Sequence, residues 1–149
     1  MSAAPRQSVD VSASSDPGVE PIRVLLADDH RMVRAGLAAL LETADGIRVV
    51  GQATDGHQAV QLALRLRPDV VLMDLSMPIL DGLEATRQIL SVLPATRILV
   101  LTAFGAGYRV QEALRAGAVA YLVKDCNPPT VVEAVQAAAD RGLAPCLGR

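Results

Sequence analysis

Residues 69–78 read Asp69-Val70-Val71-Leu72-Met73-Asp74-Leu75-Ser76-Met77-Pro78. The apolar run is short and nearly continuous, as a strand covered on both faces of a sheet must be, and it stops at a carboxylate. Four more runs of this kind lie at 22–27, 48–53, 97–101 and 119–123, with 69–73 as the third in chain order. The stretches between them are longer and carry helical apolar spacing: Val33, Leu37, Leu40 and Leu41; then Val60, Leu62, Ala63 and Leu66; then Leu83, Thr86, Ile89 and Leu90; then Ala113 and Leu114. Five rounds of this alternation predict an α/β fold whose parallel sheet carries helices on both faces through right-handed crossovers. A last helix, from about residue 128 to 140, carries Val131, Val132, Val135 and Ala138. Its prolines fall in the first turn, and Gly142 is placed to end it.

The chain has 149 residues, and its 51% apolar content is ample for one core. One domain is expected over 22–141. Residues 1–21 are Ser, Ala, Asp, Pro and Val without period and read as a disordered tail, and 142–149 as a short C-terminal tail. A net charge of −2 with 20% charged residues advertises neither a nucleic-acid nor a membrane surface, so any anion site must be local. Cys126 and Cys146 form neither a C-x-x-C pair nor a His/Cys cluster, which favours reduced thiols in a cytoplasmic protein. No apolar run approaches the length of about 18 residues expected of a spanning helix, and the N-terminus lacks the apolar core of a signal peptide.

Ligands of an open parallel sheet bind at the carboxyl ends of its strands. The residues found there are Asp28 and Asp29 after the first run, Asp74 after the third, Thr102 after the fourth and Lys124 after the fifth. Three carboxylates, a hydroxyl and an ammonium on one edge make a cation site and an oxyanion site together. Converging carboxylates repel one another unless a cation sits among them or their pKa values rise. Magnesium fits better than zinc, because the candidate ligands are oxygens with no supporting histidine or thiolate. A carboxylate oriented by that ion, Asp74, can act as a nucleophile on phosphorus. Lys124 and the Thr102 hydroxyl are then available to engage phosphoryl oxygens.

Other readings stay open for single residues. Asp74 alone could open a loop or cap a helix, and Asp28 could cap the helix that begins near His30. Thr102 suits a strand on propensity, and Tyr121 could be half-buried packing. His30 and His57 lie at helix starts without a matching partner and read as solvent-facing. Asp81 and Gly82 serve a turn or the opening of the third helix.

With the run Asp74-Leu75-Ser76-Met77-Pro78, the pair Asp81-Gly82, and Tyr121 three residues before Lys124, this pattern resembles the receiver domains of two-component response regulators from about residue 22 to 140. Ala27-Asp28-Asp29-His30, Ala113-Leu114-Arg115-Ala116-Gly117-Ala118 and Lys124-Asp125 look most like the NarL/FixJ branch. The resemblance implies a flavodoxin-like doubly wound (βα)5 sheet with strand order 2-1-3-4-5. It also implies Asp74 as phosphoacceptor, Asp28 and Asp29 as acids of the magnesium site, and the Ser76 backbone carbonyl as a further magnesium ligand. Thr102 would be the switch hydroxyl, Lys124 the contact to the phosphoryl group, and Tyr121 an aromatic that changes rotamer. A sensor histidine kinase is the implied partner, with a homodimer through the fourth helix, fourth strand and fifth helix.

Relatives in this branch usually carry a helix-turn-helix. The residues after Lys124 are too few to hold one beside the last helix, so direct DNA binding by this chain is not expected. Gly105 and Gly107 add flexibility ahead of the fourth helix. The expected role is that of a signalling domain, not an enzyme. A magnesium-dependent aspartyl phosphatase would want an acid two residues after the nucleophile, where Ser76 stands. An interaction module indifferent to phosphorylation is the other alternative.

Overall fold

The computed structural model describes residues 20–103 and 107–140. Expectations for residues 1–19, Gly105, Gly142, Cys146 and the C-terminal tail lie outside the described residues. The strands are β1 (Ile22–Ala27), β2 (Ile47–Ala53), β3 (Val70–Asp74), β4 (Arg97–Thr102) and β5 (Ala120–Val123). All neighbours pair in parallel, in the order β2-β1-β3-β4-β5, which is the expected doubly wound topology. The helices are α1 (Arg31–Glu42), α2 (Gly56–Leu66), α3 (Gly82–Val92), α4 (Tyr108–Ala116) and α5 (Pro128–Ala139).

β3 is the middle strand, and every one of its residues is buried, as its uniform apolar sequence requires. Its side chains alternate between two cores. Val71 and Met73 join Ala59 and Ala63 of α2, Ala85 and Ile89 of α3, and Val110 and Ala113 of α4. Val70 and Leu72 join Leu41 of α1 and Val131, Ala134 and Val135 of α5. Fully burying a Val, Leu or Ile side chain contributes roughly 1.5–3 kcal/mol, so the sheet's two faces hold the layers in register. Among the described residues, no helix is long and apolar enough to cross a membrane.

Two strands run one residue further than their apolar runs. Asp74 is in register with Leu101, and Thr102 with Val123, so both polar residues keep strand geometry at the sheet's carboxyl edge. At the opposite edge Asp69 lies outside β3, and its Oδ2 accepts the Arg23 backbone N–H at 2.9 Å. Local capping fixes the helix starts. Asp55 accepts from Gln58 N at 2.8 Å and Asp81 from Glu84 N at 2.9 Å, which gives Asp81 the helix-opening task expected of it.

Gly82 opens α3 directly against the backbone of Asp74. A Cβ at this position would run into the Asp74 carbonyl oxygen, whereas one at Gly36 in α1 meets nothing within 4 Å. Gly82→Ala is therefore expected to cost roughly 1–3 kcal/mol of stability through enforced displacement of α3. Gly36→Ala is expected to gain up to about 1 kcal/mol from helix propensity. Urea unfolding of both variants checks the contrast, and equal effects would contradict the close approach at Gly82.

Candidate functional site

The sheet's topology places β1 and β3 side by side, so Asp28, directly after β1, stands beside Asp74, the last residue of β3. Asp28 is 1% exposed and Asp74 2%. Their carboxylates divide their oxygens in the same way. Asp28 Oδ1 accepts the His30 backbone N–H at 2.8 Å, and Asp74 Oδ1 accepts the Ser76 backbone N–H at 3.1 Å. The two Oδ2 atoms face Lys124, whose Nζ lies 3.0 Å from Asp28 and 3.2 Å from Asp74. Both Oδ2 atoms are buried, and this one ammonium serves both of them. Lys124 is aimed from the end of β5, where its backbone N–H donates to the Thr102 carbonyl at 2.8 Å.

Burial first, and then the neighbouring Asp28 charge, push the Asp74 carboxyl up to about 6, against the opposing pull of the Ser76 N–H and Lys124. For Lys124, burial pulls the pKa down, but Asp28 and Asp74 outweigh it and hold the ammonium's pKa above its ordinary value. The site thus holds more negative charge than its one lysine neutralises. Ligand atoms of Asp28, Asp29, His30 and Asp74 all lie within 4.8 Å of one another, a spacing that suits a small divalent ion. Each carboxylate oxygen has a further lone pair for such an ion.

The expected residues divide by depth. Asp28, Asp29, Asp74 and Lys124 come together at the carboxyl edge, with Thr102 half-buried at the end of the adjoining strand. Tyr121 lies deeper, in register with Val100 and buried in the core under α2, α3 and α4.

Two placements differ from the sequence reading. His30 is exposed, as expected, but it has partners that the sequence did not show: its Nδ1 lies 3.2 Å from Asp28 Oδ1 and 3.4 Å from Asp29 Oδ1, because the chain turns tightly between β1 and α1. The α1 N-cap is accordingly His30, and the Asp28 side chain serves the turn before the helix. Sequence reasoning also passed over Arg109. From α4 its guanidinium donates to the Leu75 carbonyl at 2.9 Å and lies 3.2 Å from Asp81 Oδ2, tying α4 to the loop after Asp74. A separation of 34 residues left no local signal for that contact.

The raised Asp74 pKa has a definite sign in stability. The folded state holds this proton up to about pH 6, whereas the unfolded chain releases it near 3.8, so between those values the folded state binds more protons. Stability from this group is full below the lower value and is lost as pH rises through the higher one. In metal-free buffer, the stability of Asp74→Asn relative to wild type should rise by roughly 2 kcal/mol between pH 4 and pH 7, since one pKa unit is about 1.4 kcal/mol and the effect has already begun at pH 4. Chemical denaturation at the two pH values measures it. A difference that stays flat would contradict the strained carboxylate.

A sequence profile of the response regulator receiver domain matches residues 24–136. The chain is 50% identical over 117 residues to the transcriptional regulatory protein LiaR of Bacillus subtilis, which covers 78% of this chain and 56% of that protein. It therefore spans about half the length of the curated relatives it matches. Among solved structures, the signal receiver domain of the response regulator NarL from Mycobacterium tuberculosis superposes with a TM-score of 0.78 at 35% identity, over 82% of this chain and 98% of that one. The isolated REC domain of RcsB from Salmonella enterica serovar Typhimurium, determined in the presence of the phosphomimetic BeF3−, superposes with a TM-score of 0.74 at 27% identity, over 83% and 91%. Profile, sequence relatives and fold agree, and the chain belongs to the response regulator receiver family of two-component signalling.

Proposed function

We propose that this domain accepts a phosphoryl group on Asp74 from the phosphohistidine of a sensor kinase, or from a small acyl phosphate, in a magnesium-dependent reaction. The observation that carries this reading is the buried Asp74 carboxylate, its Oδ2 held 3.2 Å from Lys124 and the whole group beside Asp28. Asp28, Asp29, Asp74 and the Ser76 backbone carbonyl are the residues to hold the ion. When bound, magnesium supplies positive charge that neutralises the carboxylates and draws a phosphoryl group towards Asp74.

The chain's own residues account for the transfer. An Asp74 oxygen attacks phosphorus and forms the new P–O bond, while the P–N bond of the donor histidine, or the P–O bond of the acyl phosphate, breaks towards the donor. The Ser76 N–H, already on Oδ1 at 3.1 Å, orients the carboxylate for this attack. Lys124 moves its charge from Asp74 Oδ2 to a phosphoryl oxygen, and the Thr102 hydroxyl takes another. Water is kept away by the burial that also raises the Asp74 pKa.

Occupation of Thr102 and Lys124 removes contacts that hold the ends of β4 and β5. Thr102 and Tyr121 then shift, and the face made by α4, β4 and α5 changes its population between two states. That face is the place for a homodimer or a downstream partner. The role is signalling, with the domain supporting only its own phosphorylation and dephosphorylation. Ser76 in the place of a second acid supports this, since its Oγ faces the Arg109 guanidinium at 3.5 Å and supplies no carboxylate.

Incubation with acetyl phosphate and magnesium should add about 80 Da to the intact mass, with the adduct labile to base. Asp74→Asn and an EDTA control should show none. No adduct on the wild-type chain, or an adduct that persists in Asp74→Asn, would overturn the assignment.

A further inference from the structure

We propose that Arg109 is a positioning residue for Asp74. It grips the carbonyl of the one peptide whose N–H orients the Asp74 carboxylate, so that the acceptor is fully aligned only while α4 is seated. The inference rests on the reading of Asp74 as acceptor and adds to it a residue from outside the acidic cluster.

Leu75 and Ser76 share one planar peptide, whose C=O and N–H point to opposite sides. On one side the Ser76 N–H donates to Asp74 Oδ1 at 3.1 Å. On the other, the Leu75 carbonyl accepts from Arg109 Nη2 at 2.9 Å and from the Gly82 N–H at 3.1 Å. A rigid plane cannot tilt on one side without tilting on the other, so the guanidinium fixes the direction from which the N–H meets the carboxylate. A charged donor on the carbonyl also polarises the amide and strengthens the bond its N–H makes, as linked hydrogen bonds do in a low-dielectric interior. Asp74 is buried, so water competes little for that bond.

The guanidinium spans the acceptor loop. Besides the Leu75 carbonyl it reaches Asp81 Oδ2 at 3.2 Å and Ser76 Oγ at 3.5 Å. Asp81 is itself held, because its Oδ1 accepts the Glu84 N–H at 2.9 Å as the cap of α3. One fork therefore joins α4, the start of α3 and the acceptor peptide, a task that suits the rigid donor set of arginine and not the single point of a lysine. The Gly82 N–H stays in place when the Arg109 side chain is removed, so the loop keeps its course. What removal takes away is the charged half of the grip. Arg109 is the second residue of α4, and a partner that draws this helix off the loop breaks the same contact and slows the acceptor.

The test follows wild type, Arg109→Ala, Arg109→Lys and Asp81→Asn by two readouts. One is the Ser76 amide resonance of the isotope-labelled, metal-free chain; the other is the rate at which acetyl phosphate with Mg2+ adds the phosphoryl mass. Arg109→Ala should move the Ser76 amide proton upfield, the direction of a weaker hydrogen bond. It should also slow the adduct roughly tenfold, part of the hundredfold or so that a misplaced reacting group can cost. Asp81→Asn keeps the α3 cap and the Leu75 contact and removes only an exposed ion pair, so its resonance should stay in place and its rate within about twofold of wild type. Arg109→Lys keeps the charge but not the fork, and should change both readouts in the same direction by less. It carries the test if circular dichroism shows the alanine variant unfolded. A Ser76 resonance or an adduct rate unmoved in both Arg109 variants, or Asp81→Asn matching Arg109→Ala in both readouts, would overturn the role of Arg109. Absence of an adduct on the wild-type chain would instead overturn Asp74 as acceptor, with the amide resonance still reporting the grip on the peptide.

Discussion

Asp28 and Asp74 stand side by side, almost dry, and share a single ammonium. Two carboxylates cannot both stay charged in that setting without cost, and the cost appears in the raised pKa of Asp74. Placing such a pair in the interior loses stability unless something positive enters. The same feature makes the site receptive, since two carboxylates share one ammonium and a further positive charge would relieve them. Strain at the edge of the sheet is balanced by the apolar burial of β3 beneath it, where Val70, Val71, Leu72 and Met73 are fully buried.

The loop after Asp74 has little room to adjust. Gly82 lets α3 start against the Asp74 carbonyl, the Gly82 N–H donates back to the Leu75 carbonyl at 3.1 Å, and Arg109 holds the same carbonyl from α4. A change at Asp74 is therefore mechanically connected to α3 and α4 at once. The link from the acceptor to the α4 face runs through Arg109 and the Leu75 carbonyl as well as through the ends of β4 and β5. The close packing of interiors turns small displacements at such contacts into discrete rearrangements.

The sequence argued for an all-oxygen ligand set because neither histidine had a visible partner, and the fold brings an imidazole nitrogen within 3.4 Å of two of those acids. The same ring lies 3.5 Å from Lys124 Nζ.

Much of the molecule was legible in one dimension. Periodicity located the five strands and the helices between them, since strands buried on both faces must be nearly continuous in apolar residues. The carboxyl-edge rule then selected Asp28, Asp29, Asp74, Thr102 and Lys124, because in a parallel sheet every strand end of that sense lies on one edge. What periodicity missed depends on through-space geometry. Asp74 and Thr102 belong to their strands because partners on neighbouring strands continue the ladder, and no local pattern records that. Arg109 reaches the loop after Asp74 across 34 residues, and the exposed His30 ring meets Asp28 and Asp29 because the β1–α1 connection is tight. The sequence by itself determined which chemical groups the sheet would gather, since residue type and strand order suffice for that. Only the tertiary structure decided their distances, the sharing of one ammonium by two carboxylates, and the pKa of Asp74, because burial and neighbouring charge are set by packing between elements far apart in the chain.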